Sequence, residues 1–410
     1  SLYYDRSIRF KSDPETAASG GKLSNVFRKL LGAVLLLTLA SVLYYFWLLL
    51  PPPAYRPVKR NLVGEPNSFS ELVAAGKAFS IAGLGDWALV NSGPKLAGRI
   101  QAQSKNFDHV ELLLESANCS CIDWNRSNFD FEKLGIELKD VQSIASAISV
   151  RSLQSLSEKR SDDVVADGFL CMKLAEQISI DGNFEVLLTG AACERAGVES
   201  AVPGIEGASL EQLEKAAKQL DETIALFGTS DAEMERLVNA ENFFVAKSKQ
   251  SHWIKLLIFH QMNYSSAEHI VRGAITHRNV VRQLLRTEIA IRLYQIKFGR
   301  PPDSLERLIP DFLDEVPNDG FANPETQPVH YKLSADSKSY QLYSVGRNDD
   351  DDGGQVFENF WEQGDLDLIA LFGDRLVKNA KEVARHEADK TAGTPTLKAS
   401  KPPELLDERN

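Results

Sequence analysis

The residues best placed to do chemistry sit in one turn, Asn348-Asp349-Asp350-Asp351-Asp352-Gly353-Gly354, entered from the alternating run Tyr340–Gly346. Carboxylates this close repel one another unless water or a cation screens them. Asn348, Asp350, Asp352 and Gly353 match the opening positions of an EF-hand loop. Its closing position falls on Asn359, with Glu358 one residue early, and a strand precedes the turn where a helix is required. A solvated acidic turn is the plainer alternative.

Other constellations are weaker. His252, His260, His269 and His277 follow one another at eight or nine residues, too far along a helix to share a metal, and read as surface or helix-end histidines. Cys119-Ser120-Cys121 lacks a second pair at zinc spacing, whereas Cys171 and Cys193 lie in apolar settings and read as small core residues. There is no HExxH or GxSxG, and Gly83-Leu84-Gly85-Asp86 lacks the strand–loop–helix context of a phosphate loop. Nucleophile, base and orienting group cannot all be assigned, so the chain reads as non-catalytic; a membrane-anchored hydrolase is one alternative.

A chain of 410 residues has room for two or three domains. Its net charge of −11 argues against a nucleic-acid partner, which needs a basic face for phosphates. No small-molecule substrate is evident from the motifs.

Residues 30–50, LLGAVLLLTLASVLYYFWLLL, carry no charge. At helical rise they cover roughly 31 Å, the thickness of a bilayer core. Arg28 and Lys29 precede them, and Tyr44, Tyr45, Phe46 and Trp47 cluster near the exit as an aromatic belt would. The run ends Leu50-Pro51-Pro52-Pro53 rather than in small residues, which favours an uncleaved anchor over a signal peptide. The expected order is a flexible cytoplasmic tail (1–29), a transmembrane helix (30–50), a proline-rich linker (51–68) and a helical extracytoplasmic domain (69–278). A small α+β domain (279–373) and a charged, largely disordered tail (374–410) follow.

Within 69–278 the 3.6-residue periodicity predicts helices over Pro94–Ser116, Asp140–Lys159, Asp163–Ile180, Phe184–Gly197, Leu210–Phe227 and Asp231–Lys247, a bundle or short array. Breaks are expected at Asp181-Gly182, Pro203-Gly204 and Gly228-Thr229-Ser230, with Ser209 and Gln212 spaced as a capping box. Phe169, Met172, Leu174, Ala175 and Ile178 make one buried stripe. Val280–Phe298 is the last long helix, closed by Gly299 before Pro301-Pro302, and Ser304–Ile309 is a short one. Val329–Leu333 and Ser339–Ser344 alternate and pair as a hairpin. The fold class is mainly α with a small antiparallel element.

The run Leu293-Tyr294-Gln295-Ile296-Lys297-Phe298-Gly299-Arg300-Pro301-Pro302-Asp303-Ser304-Leu305, then Val316-Pro317-Asn318-Asp319, Tyr331, Leu342–Gly346 and Gly364–Ile369, resembles the C-terminal domain of the type II secretion pseudopilin G family over about residues 285–372. Cys121-Ile122-Asp123-Trp124 with Phe129, and Glu176–Gly182, are similar to a group of large envelope proteins of planctomycetes and related bacteria, in which an anchor and a helical domain precede a pseudopilin-like tail. Residues 30–50 hold no glutamate of the kind that opens a pseudopilin's apolar helix, which implies a reused module. The resemblance implies calcium in the loop after the last strands, with Asp349, Asp351 or Asp352, Asp365 and Asp367 as ligands and the Ser344 carbonyl nearby. It implies a non-catalytic scaffold in a bacterial cell envelope, anchored in the bilayer, with its C-terminal domains on the periplasmic side and with envelope proteins as partners. A component of a type II secretion or pilus-like assembly is the alternative.

Overall fold

A computed structural model describes residues 37–42, 68–85, 96–116, 119, 131–179, 182–229, 231–237, 253–322, 327–356 and 364–373, with backbone alone for 131–132 and 253–270. The chain divides into two units, Ser1–Ala54 and Tyr55–Asn410. Of the first unit, residues 37–42 are helical and exposed. The remainder of the expected 30–50 span, residues 51–67 of the linker, and the 1–29 and 374–410 tails lie outside the described residues. Among the described residues no helix is long and apolar enough to cross a membrane.

The second unit is mainly helical, with a single two-stranded antiparallel sheet among the described residues. Its helices are α1 (Phe69–Ile81), α2 (Leu96–Ala102), α3 (Ser104–Ser116), α4 (Phe131–Ser157), α5 (Ser161–Ser179), α6 (Phe184–Ile205), α7 (Leu210–Phe227), α8 (231–237) and α9 (Trp253–Phe298). A 3-10 turn (Leu305–Leu308), strands β1 (His330–Leu333) and β2 (Tyr340–Tyr343) and a π-helical turn (Ile369–Gly373) complete it. The strands pair His330 with Tyr343 through Leu333 with Tyr340, the expected hairpin.

Helix α7 has the expected bounds. Ser209 Oγ accepts from the Gln212 amide at 3.3 Å, and Gly228, at a φ of 68°, donates to the Ile224 carbonyl. Gly299, at a φ of 75°, closes α9 as its position before two prolines implies. Elsewhere the boundaries move. The expected Pro94–Ser116 helix is divided at Gln103, and α4 starts at Phe131 because Leu134, Leu138 and Val141 already recur on a buried face.

The largest departure is α6, which runs through Gly197 and Pro203 instead of stopping. A Cβ built on Gly197 would lie 2.5 Å from the Gly168 carbonyl oxygen, and one on Gly168 would lie 2.5 Å from the Gly197 carbonyl oxygen. These glycines permit the backbones of α5 and α6 to touch; they do not end the helix. Pro203 sits in the final turn, where the missing amide costs a single bond.

Two cores flank the α5–α6 pair. One collects Leu72 and Phe79 of α1, Phe107 of α3, Ile144 and Ile148 of α4, and Cys171, Leu174 and Ile178 of α5. The other collects Phe169 and Met172 of α5, Val198 and Val202 of α6, Leu213 and Leu220 of α7, Leu284, Ile289 and Ile291 of α9, and Leu342, Leu366 and Phe372 of the terminal module. The single stripe expected on α5 is therefore two faces, each serving a different core. Cys171 and Cys193 are buried free thiols, as their apolar surroundings suggest.

Helix α9 crosses the expected boundary at residues 278–279 without a break. What fixes it is electrostatic. Arg278 and Arg282, one turn apart, both reach Glu194 of α6: Arg278 Nε donates to Oε2 at 2.7 Å, and Arg282 grips both oxygens through Nε and Nη2, at 2.5 and 2.9 Å. Glu233 of α8 adds a second carboxylate, 3.3 Å from Arg278 Nη1. All four side chains are at most 6% exposed, and the Phe227 ring of α7 lies 4.1 Å from the Arg282 guanidinium. Burial would raise the Glu194 carboxyl, but the two guanidiniums outweigh it and hold it below the usual range. Deleting one member leaves its partners charged and dry, which costs about 3–5 kcal/mol. Glu194→Gln is expected to destabilise the chain by that amount in urea unfolding; a loss below ~1 kcal/mol would show that the cluster does not hold α9.

Candidate functional site

The acidic turn is built from the far end of β2 outward. Ser344 pairs with Leu366 as an antiparallel bridge, Ser344 N donating to the Leu366 carbonyl at 3.1 Å and Leu366 N to the Ser344 carbonyl at 2.8 Å. That bridge places Asp365 and Asp367 beside the turn. Gly346 makes the corner at a φ of 72°, where a Cβ would fall 2.3 Å from the Gly364 carbonyl oxygen, so no other residue fits.

Asp365 is fully buried. Its Oδ2 accepts from the Gly354 amide, at 2.5 Å, and its Oδ1 from the Asp352 amide, at 3.3 Å. Burial pushes its carboxyl up; those amides oppose the shift, while the charges of Asp351 and Asp352 add to it. Asp351 is exposed on the turn, and its Oδ1 accepts from the Gly353 amide at 2.9 Å and the Tyr343 hydroxyl at 3.0 Å. The Gly353 amide bond leads in holding the Asp351 carboxyl below its ordinary value. His330 Nδ1 lies 3.6 Å from Asp351 Oδ2, its ring stacked on Tyr343 at 4.9 Å. Asp367 caps the π-helical turn, its Oδ1 accepting from the Ile369 and Ala370 amides at 3.0 Å each, and burial raises its pKa.

The structure thus places Asp349, Asp350, Asp351 and Asp352, all exposed, on a loop beside the buried Asp365, with Asp367 one bridge away. Calcium needs six to eight oxygens facing one point. Here the buried oxygens face amide hydrogens, and among the described residues no three His, Cys, Asp or Glu side chains are placed to share an ion. The two Asp365 oxygens are each taken up by a loop amide, those of Gly354 and Asp352.

Two buried carboxyls of this module were not singled out as site residues. Asp319, fully buried, accepts from the Phe321 amide and the Ser344 hydroxyl through Oδ1, at 3.0 and 2.7 Å, and from the Val345 amide through Oδ2, at 2.8 Å. Its signal was the Asn318-Asp319-Gly320 turn, whose side chains satisfy local amides. Glu288 had none. It lies on the buried face of α9 and accepts from the Tyr340 hydroxyl of β2. His277 is also buried, not at the surface as its spacing suggested, and burial, with Arg347 and Arg195 nearby, pushes it down to about 4. His252 and the side chains of His260 and His269 lie outside the described residues.

Comparison with protein families, with curated proteins and with solved structures finds no match.

Burial pushes the Glu288 carboxyl up to about 7, with Asp367 adding to the shift and the Tyr340 hydroxyl opposing it. A carboxyl whose folded pKa is raised contributes stability that is complete below its unfolded value near 4.5 and is lost as pH rises through about 7. Glu288→Gln keeps an acceptor for Tyr340 and removes the titration. It is expected to stabilise the chain at pH 8.5 by on the order of 1–3 kcal/mol and to change little at pH 4.5. Equal shifts at both pH values would show that Glu288 is not the titrating group.

Proposed function

We propose that the chain is a non-catalytic, single-pass, membrane-anchored scaffold of a bacterial envelope that presents the 279–373 module as a pseudopilin-like domain on the periplasmic side, for envelope protein partners. The observation that carries this reading is α9, a 46-residue helix joined to the array by the Glu194 cluster and to the terminal module by a shared apolar core. Over Val271–Tyr294 its buried apolar residues belong to the cores it shares with the array and the module, so this stretch does not move independently of either. The buried carboxylates of the module support the same reading, because Asp319, Asp365 and Asp367 hold backbone amides. The charge-free run 30–50 supports the bilayer anchor.

Topology is the direct test. In intact cells a membrane-impermeant maleimide is expected to label Asp350→Cys and to reach Ser7→Cys only after permeabilisation. The reverse pattern overturns the proposed orientation. A component of a secretion or pilus-like assembly is the second reading, favoured by the run 293–305. Co-purification with secretion subunits from gently solubilised membranes supports it, and an isolated monomer counts against it.

Calcium enters the proposal as a stabiliser of the acidic turn, because Asp351 and Asp352 press on Asp365 with like charge that a cation would relieve. Millimolar calcium is then expected to raise Tm of the full chain saturably, and Asp365→Ala to abolish the rise. An unchanged Tm in the wild type would leave the loop amides as the turn's only counterpart.

A further inference from the structure

Helix α9 outruns the array it joins. Arg278 and Arg282 meet Glu194 midway along α6, while Val271 and Ile275 share a small core with Phe184 and Leu187 at the start of α6. The two helices therefore run in the same direction, and α9 passes the start of α6 near Val271. Helix α5 ends at Ser179, packed against Gly190 of α6, so it stops at the same end of the array. Residues 253–270 carry α9 about 27 Å beyond that level. The chain arrives there from α8: Asp231 pairs with Arg272, and Leu237 shares the core of Val271. Residues 238–252 therefore lead from beside Val271 out to Trp253, and the chain returns along α9.

The composition of this extension differs from that of the rest of the chain. Residues 253–259 read WIKLLIF, apolar around the whole helix except at Lys255. A helix apolar on all sides is covered by a protein core or by lipid. Polar residues from His260 onward leave the run far short of the roughly 20 residues that cross a bilayer, so lipid meets it only at the interface. From Phe243 to Ala267 there is no Asp or Glu, although the chain holds 57 in 410 residues, whereas Lys247, Lys249 and Lys255 all fall there. Trp253, Phe259 and Tyr264 add the aromatic residues that favour headgroup level. Lysines alone are drawn to any acidic surface. The apolar and aromatic run selects the surface that takes up such side chains without a shaped pocket, which is the bilayer interface.

We infer that the start of α9 lies in the interface of an anionic bilayer, a second membrane contact besides the anchor proposed at residues 30–50. It rests on that reading only for the bilayer being at hand, and its readout is separate. Lys247, Lys249 and Lys255 meet the anionic headgroups, and the apolar run is taken up beneath them.

The full chain, reconstituted in vesicles of brominated phosphatidylcholine with or without phosphatidylglycerol, tests this. Bromine quenches a tryptophan that reaches the lipid, and the difference between wild type and Trp253→Phe isolates Trp253. Quenching of Trp253 is expected in the phosphatidylglycerol vesicles at low salt. It is expected to fall at least about twofold in neutral lipid, in about 1 M salt, and in the triple substitution Lys247→Glu, Lys249→Glu and Lys255→Glu with folding verified by circular dichroism. Trp47, isolated in the same way through Trp47→Phe, reports the anchor and should be quenched in either lipid. A chain whose Trp47 is unquenched overturns the anchor alone, since Trp253 is still read against vesicles in the same sample. Trp253 unquenched in phosphatidylglycerol vesicles would overturn the inference, and a cross-linked dimer would then assign the stretch to a second copy of the chain. Quenching of Trp253 that is equal in neutral lipid and in high salt, or unaffected by the triple substitution, would also overturn it.

Discussion

Glu194 is the residue on which the second unit turns. It lies on α6, at the centre of the array, and accepts from two arginines one helical turn apart on α9. Two guanidiniums and two carboxylates buried together are neutral overall, and their geometry permits a single register of α9 against α6. An apolar seam would be about as stable but would tolerate sliding by a turn. The bidentate grip of Arg282 does not, because both Glu194 oxygens must meet the planar fork at once. Beyond residue 282 the helix is held as well by the core it shares with α5, α6 and α7.

The terminal module depends on α9 in turn. Leu284, Ile289 and Ile291 lie in one core with Leu342, Leu366 and Phe372, and Tyr340 of β2 reaches Glu288 across it. Tyr331 stacks on Tyr340 and donates to the Pro302 carbonyl at 2.7 Å, which ties the hairpin to the segment just past the helix end. Two four-residue strands would be marginal in isolation. They persist because the helix supplies their apolar floor and the carboxylates of Asp319, Asp365 and Asp367 hold the loops around them. The acidic turn, which looks in sequence like a cluster of repelling charges, keeps Asp349, Asp350, Asp351 and Asp352 exposed, while the neighbouring Asp365 is buried against the amides of Gly354 and Asp352.

Local signals were legible where one residue type has one local use. Ser209 with Gln212, Gly228, Gly299 and the alternating strands all stand where their chemistry places them. The misreadings share a cause. Gly197 and Pro203 look like a chain break, yet the glycine serves contact with Gly168 on another helix. Phe169 and Ile178 look like one stripe, yet α5 is buried on two sides, and periodicity cannot separate two apolar faces. His277 looked peripheral because its neighbours along the chain are polar; its neighbours in space are Phe321 and Arg347.

By itself the sequence determined the mainly helical class, the hairpin and its turn, the caps of α7 and α9, and the concentration of carboxylates at 349–352, since each depends on residues within a few positions of one another. Tertiary structure alone decided the pairing of Glu194 with Arg278 and Arg282, 84 and 88 positions away, and the triad of Glu111, Arg151 and Asp167. It also decided that Asp365 meets the amide of Gly354. An isolated Glu or Arg in a sequence is most simply a solvated surface charge. Only the packing of distant helices removes the water, and with water gone each such charge must find its partner.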